Sequence, residues 1–322
     1  MKRIIALGAV VVLVLALWGG AWLFFAGEIR RNVEALAQAD GVSTPRLTCG
    51  NLSVGGFPFR FDVVCSDLAV LSGDLTAAMP VLQVSALVYR PTHVLAFPQG
   101  PLEISDAFTG SRSRVAWSEM EASGRLEGWR IGRISLTGKD VALTDALFGD
   151  ALIASAASLE AHLLDIPERH EPQKGLAALA AYATAGGVQA PGFAVNAGET
   201  SLEAEVIGLP DDVRVLGEPD AVRRWQQAGG KVQVTSFKGS DAERFFSSDG
   251  TLGLDDQARL EGRIRLTSKG LVEFFSAQIP EPMRPLVLGP QGADGSYAQT
   301  LDLRAGVLLA GVVPLAMLPP LF

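Results

Sequence analysis

Residues 47–65 read Leu47-Thr48-Cys49-Gly50-Asn51-Leu52-Ser53-Val54-Gly55-Gly56-Phe57-Pro58-Phe59-Arg60-Phe61-Asp62-Val63-Val64-Cys65. Apolar and polar residues alternate through Phe59-Arg60-Phe61-Asp62-Val63, the period of a strand with one face covered. Gly55-Gly56-Phe57-Pro58 supplies turn residues between two such runs, so Leu47 to Val54 and Phe59 to Val70 are predicted as the arms of a β-hairpin. A register with Val54 opposite Arg60 also sets Cys49 opposite Cys65. Directly opposed residues hold their Cβ atoms about 4.5–5.5 Å apart, within a small adjustment of disulfide geometry. In an exported chain this favours a Cys49–Cys65 bridge; two buried free thiols are the competing reading.

The same pattern recurs downstream. Leu202-Glu203-Ala204-Glu205-Val206 alternates, and Val81 to Tyr89, Val94 to Phe97, Leu102 to Ser105, Arg130 to Thr137 and Leu152 to Ile166 are further strands bounded by turn residues. Val81, Val84 and Leu87 are taken as representatives of an apolar strand face. Helical spacing of Leu176, Leu179, Ala180 and Ala183 predicts a helix over Gln173 to Ala185, with shorter helices over Asp220 to Gln227 and Gly270 to Gln278. Gly132-Arg133-Ile134-Ser135-Leu136-Thr137-Gly138-Lys139 matches Gly262-Arg263-Ile264-Arg265-Leu266-Thr267-Ser268-Lys269 at six of eight positions. This weak repeat suggests two β-rich halves joined near 168–190. The fold expected is mainly β: an N-terminal transmembrane helix, then a large curled antiparallel β-sheet ectodomain with a few short helices.

Upstream, Ile4 to Ala26 is an uncharged, mostly apolar run. As a helix it is about 35 Å long, enough for a hydrocarbon core of about 30 Å. Lys2 and Arg3 precede it, Trp18 and Trp22 lie toward its far end, and Arg30 and Arg31 follow. A cleaved signal peptide is the alternative, but its apolar core would be shorter, and Phe24-Phe25-Ala26 is a poor cleavage site. Residues 1–27 are read as a cytoplasmic N-terminus and transmembrane anchor, 28–44 as a juxtamembrane helix, and 45–322 as a periplasmic β-rich domain. That makes a single-pass protein of the inner membrane in a Gram-negative cell. The last 17 residues, Gly306 to Phe322, are uncharged too, but Pro314, Pro319 and Pro320 interrupt them; a final strand with an apolar tail is expected there.

Composition narrows the function. The 322 residues are 48% hydrophobic and carry a net charge of −8, which argues against nucleic acid as a partner. No Gly-x-Ser-x-Gly elbow, phosphate loop or dinucleotide fingerprint occurs. His93, His162 and His170 have no zinc spacing. His162 and His170 flank a turn, yet two surface histidines are the simpler reading. Asp211-Asp212 and Asp255-Asp256 stand in turn contexts, where Asp caps its own backbone. No catalytic, cofactor-binding or metal-ligating residue is assigned, and the chain is expected not to be an enzyme.

Leu47 to Leu52, Gly55-Gly56-Phe57-Pro58-Phe59-Arg60 and Cys65 together resemble the opening signature of a family of bacterial membrane-anchored envelope proteins, domain of unknown function 2125. The resemblance continues in Ala228-Gly229-Gly230-Lys231-Val232, Gly250-Thr251-Leu252-Gly253-Leu254-Asp255, Val313-Pro314-Leu315 and Leu318-Pro319-Pro320-Leu321. It brings no activity with it. The succession of Gly-led strands is also similar, as a pattern, to AsmA-like envelope proteins, which implies curled sheets with an apolar interior and a role in lipid movement or outer-membrane upkeep. The expected function is a non-catalytic envelope module that binds or conducts lipid along an apolar sheet face. The alternative is a scaffolding subunit with an ordinary dry core. Expected partners are the inner membrane, through the N-terminal helix, and phospholipid or envelope proteins.

Overall fold

The computed structural model describes residues 2–218, 220–270 and 284–321. One helix, α1 (Lys2–Leu36), leads the chain. It is the one helix among the described residues long and apolar enough to cross a membrane. The strands follow in two runs. The first holds β1 (Arg46–Thr48), β2 (Asn51–Gly55), β3 (Arg60–Ser72), β4 (Leu75–Leu87), β5 (Arg90–Gln99), β6 (Leu102–Asp106), β7 (Arg112–Ala116), β8 (Glu119–Glu127), β9 (Arg130–Asp145), β10 (Ala151–Asp165), β11 (Leu176–Ala190) and β12 (Val195–Pro210). Short helices α2 (Val213–Leu216) and α3 (Ala221–Gln227) intervene. Then come β13 (Lys231–Ser240), β14 (Phe245–Leu254), β15 (Leu260–Lys269), helix α4 (Arg284–Leu288), β16 (Tyr297–Arg304), β17 (Val307–Ala310) and β18 (Val313–Met317). The strands form a large antiparallel sheet, as the alternating pattern predicts.

Two compact units divide the chain. The first comprises Met1–Arg125 and Leu143–Ala151, the second Leu126–Ala142 and Leu152–Phe322. The segment 168–190, read from sequence as the join, lies wholly within the second unit. So do both copies of the weak repeat, one on β9 and the other on β15.

The expected helices fare differently at the level of local structure. The juxtamembrane helix read over 28–44 is the last part of α1, which ends at Leu36. The chain then turns at Asp40, whose carboxylate accepts the backbone N–H groups of Val42, Ser43 and Thr44. The Ser43 hydroxyl, which also donates to it, and then those backbone bonds hold its carboxyl well below the usual carboxylate range. The helix over Gln173 to Ala185 is strand β11. Its alanines pair with β10 on one side and β12 on the other, and two long ladders outweigh alanine's helical preference. The helix over Asp220 to Gln227 is α3, whereas 271–278 of the third lies outside the described residues.

The opening hairpin forms, but three residues out of the expected register. Val54 pairs with Val63, and Leu52 stands opposite Cys65. The ladder stops at Cys49 and Gly50 and resumes with Thr48 opposite Ala69. Across that break Asp67 takes φ +50°, and its side chain lies where a Cβ on Gly50 would fall, 2.8 Å from Oδ2. The kink brings Cys49 to Cys65 with Cα atoms 5.3 Å apart, and the two form a disulfide.

Candidate functional site

In the first unit, the pairing of β2 to β5 places Val54, Val63, Val84 and Ala96 in one cross-strand row; Leu52, Cys65, Leu82 and Pro98 form the next row on the same face. Paired residues share a face, and so do residues two apart along a strand. Val81 and Leu87, grouped with Val84 in the sequence reading, therefore project from the opposite side, beside Ser66 and Arg60. Their odd spacing from Val84 forces the separation.

Helix α1 covers one end of this apolar face. The Trp22 ring stacks on Phe61, with centroids 5.5 Å apart and planes inclined 16°, and meets Phe57 edge-on. Its Nε1 donates to the carbonyl of Arg60 at 2.9 Å, and Trp18 Nε1 donates to that of Pro58 at 3.1 Å. Trp22 is only 8% exposed, and Ala26 one turn further on is equally buried. Of the two tryptophans read from sequence as membrane-interface markers, Trp18 is thus bonded to the Gly-Phe-Pro-Phe turn and Trp22 to Arg60, the residue that follows it.

The second unit carries a longer face of the same kind. One row runs Leu179, Val206, Val232, Leu252, Gly262, Leu303, Leu308 across β11 to β17, and the next runs Ala181, Ala204, Val234, Gly250, Ile264, Leu301, Ala310. The intervening positions, Glu205, Gln233, Thr251, Arg263 and Asp302, point the other way and are polar. Gly250 and Gly262 interrupt the two rows because the backbones of β14 and β15 approach closely. A Cβ on either would lie 2.1 Å from a carbonyl oxygen of the partner strand. Exposure alternates along β13 and β15, yet Val232, Val234, Ile264 and Leu266 are half-buried rather than buried. No large side chain among the described residues is fully buried.

The two ends of this second face differ. At one end α2 packs on β12, and Val213 and Leu216 close over Leu179 and Leu209 around a void of about 10 Å³. At the other lies a cleft of about 240 Å³ lined by Val188, Val195, Phe245 and Phe246. Phe246 packs edge-on to Phe237 and lies across Gly239, where a Cβ would approach its ring to 2.4 Å. Asp241 and Arg244 pair beside the cleft at 2.6 Å, and Arg244 Nη1 donates to the carbonyl of Phe193 at 2.9 Å. The guanidinium, with the Glu243 backbone N–H, holds the Asp241 carboxyl below its ordinary value.

The titratable residues singled out from sequence do other work. His93 is exposed on β5. His162 stacks on Tyr182 across the β10–β11 pair. His170 is not a surface histidine, because its side chain is 6% exposed. Arg130 Nη1 donates to its Nδ1 at 3.1 Å, since a guanidinium has only donors; Nε2 therefore carries the proton and donates to Asp165 Oδ1 at 2.6 Å. Asp212 caps α2 by accepting the Arg214 N–H, and Asp211 donates its own N–H to Gly175. Asp255 accepts the N–H groups of Gln257 and Arg259, and Asp256 is exposed beside it. No group of three His, Cys, Asp or Glu side chains suited to a metal ion occurs among the described residues.

A search of curated proteins found no match. A family model described as an uncharacterized protein conserved in bacteria, DUF2125, matches residues 22–319. The match begins at the tryptophan that docks α1, includes the disulfide hairpin and both apolar faces, and reaches β18, so the chain belongs to the DUF2125 family of bacterial proteins.

Proposed function

We propose that the protein is a non-catalytic module of a Gram-negative envelope that binds or conducts lipid along the apolar face of its sheet. In this reading α1 is an uncleaved anchor in the inner membrane, and residues 45–322 lie in the periplasm. The observation that carries the proposal is the junction at Trp22. The apolar face of the first unit begins where α1, long and apolar enough to cross a membrane, stacks on Phe61, so an acyl chain leaving the bilayer beside α1 would meet Val63, Val54 and Val84 without crossing polar surface. Burial of Trp22 and Ala26 against the hairpin also supports retention of the helix, because cleavage after Ala26 would remove both. A scaffolding role with a dry core has one observation in its favour, the closure of α2 over Leu179 and Leu209.

Native mass spectrometry of the full chain, released from membranes in mild detergent, tests the proposal. Phospholipid should accompany the wild type and Val81→Asp, whose substitution lies on the opposite side of β4. It should be lost from Val84→Asp. Equal lipid content in all three would reject the lipid-bearing face and favour the scaffold.

A further inference from the structure

The depth of α1 constrains the hairpin that it holds. From Ile4, the first apolar residue, to Leu17 there are 14 residues, about 21 Å of helix. The hydrocarbon core is about 30 Å thick. Trp18, the next residue, already donates to the carbonyl of Pro58. The helix therefore cannot span the core unless Trp18 and Trp22, with the turn bonded to them, lie below the level of the headgroups. We infer that the Phe57-Pro58-Phe59 turn and the neighbouring Tyr89 turn form a membrane-inserting edge of the first unit, seated in the ectodomain-side leaflet around α1. This rests on the reading of α1 as an uncleaved anchor.

The edge is built for that position. Phe57 and Phe59 are 57% and 61% exposed, and Tyr89 is 67% exposed. The two turns are joined, since the Val88 N–H donates to the Phe59 carbonyl at 3.0 Å. Backbone groups in lipid need partners within the protein. Here the carbonyls of Gly56, Pro58, Phe59 and Arg60 each accept a hydrogen bond, from Arg60 N–H, Trp18, Val88 N–H and Trp22 respectively. Pro58 has no N–H to leave unpaired. No charged residue occurs between Leu52 and Phe59, while Arg60 and Arg90 stand exposed just behind the two turns, at the height of anionic headgroups.

Nitroxide labels on the full chain in vesicles of phosphatidylethanolamine and phosphatidylglycerol test the inference. Phe57 packs on Trp22, so the labels go on Phe59→Cys and Tyr89→Cys, with Leu15→Cys marking the helix and Phe108→Cys a turn outside the proposed edge. Cys49 and Cys65 are bridged and do not take the label. At positions 59 and 89 collisions with oxygen should exceed those with a water-soluble nickel chelate, as at Leu15, and the ratio should reverse at Phe108. Labels at 59 and 89 that respond like Phe108, with Leu15 in lipid, would overturn the inserted edge and leave the anchor standing. An aqueous response at Leu15 as well would overturn the anchor and the edge together.

Discussion

The two units carry the same motif, an antiparallel face of Val, Leu and Ala, and finish it in different ways. In the first, the row through Val54, Val63 and Val84 lies beside Phe61, which is covered by Trp22 of the leading helix. In the second, the rows through Val206, Val232 and Ile264 are closed by the unit's own α2 at one end and meet a cleft at Phe245 and Phe246 at the other. Period-2 alternation specifies which side of a strand is apolar; what covers that side is decided elsewhere in the chain. The first face is covered by α1, a helix long and apolar enough to cross a membrane, and the second by the short α2.

That contrast can be tested by damaging one unit at a time. The largest effect is expected from Cys49→Ser with Cys65→Ser. Closing a loop of about 15 residues contributes about 3 kcal/mol in the chain-entropy model, and Cys65 is buried at the break between β1 and β2. Calorimetry should show a lower-melting transition for the first unit and an unchanged one for the second. A joint shift of both would mean that the units melt as one body. The second unit is probed by Leu303→Ala, a buried position paired with Leu308 and Gly262. A dry, covered site should lose about 2–3 kcal/mol, within the range for core Leu truncation, and the denaturant midpoint measures it. A loss well under about 1 kcal/mol would show that this face is not a closed, dry core.

Much of this arrangement is legible in the sequence. The alternation around Phe61 and Leu202 marks strands, the run from Ile4 to Ala26 marks the long helix, and Asp220 to Gln227 marks α3. What escapes is long-range. β11 is hidden because an alanine-rich run fits both periods, and only its partners β10 and β12 decide between them. The hairpin register is missed by three residues because the kink depends on Asp67 in the left-handed region and on the close approach of its side chain to Gly50. Trp18 and Trp22 read as markers of the membrane interface, but nothing local says that their indole N–H groups find the carbonyls of Pro58 and Arg60. The burial of His170 is likewise invisible: Asp165 lies only five residues before it, but Arg130, its other partner, comes from β9, 40 residues away.

The smallest expected effect concerns pH and sharpens the account of the second unit's open end. Asp241 and Arg244 tie the β13–β14 turn to the carbonyls of Phe193 and Ala194, and so form one wall of the cleft. The Asp241 carboxyl is held below its ordinary value chiefly by the Arg244 guanidinium. A carboxylate depressed in the folded state stabilises it fully above the unfolded value, about 3.9 for Asp, and the contribution fades as pH falls through the folded value. Asp241→Asn removes that linkage. At neutral pH the variant should melt below the wild type; from about pH 4 downward the two curves should converge as the wild-type carboxylate takes up its proton. Thermal midpoints across that range, read on the second unit's transition, provide the measurement. A gap that persists unchanged at acidic pH would show that the ion pair adds nothing to the wall, and that the Asp241 side chain holds the turn only through its bonds to the Glu243 and Arg244 N–H groups.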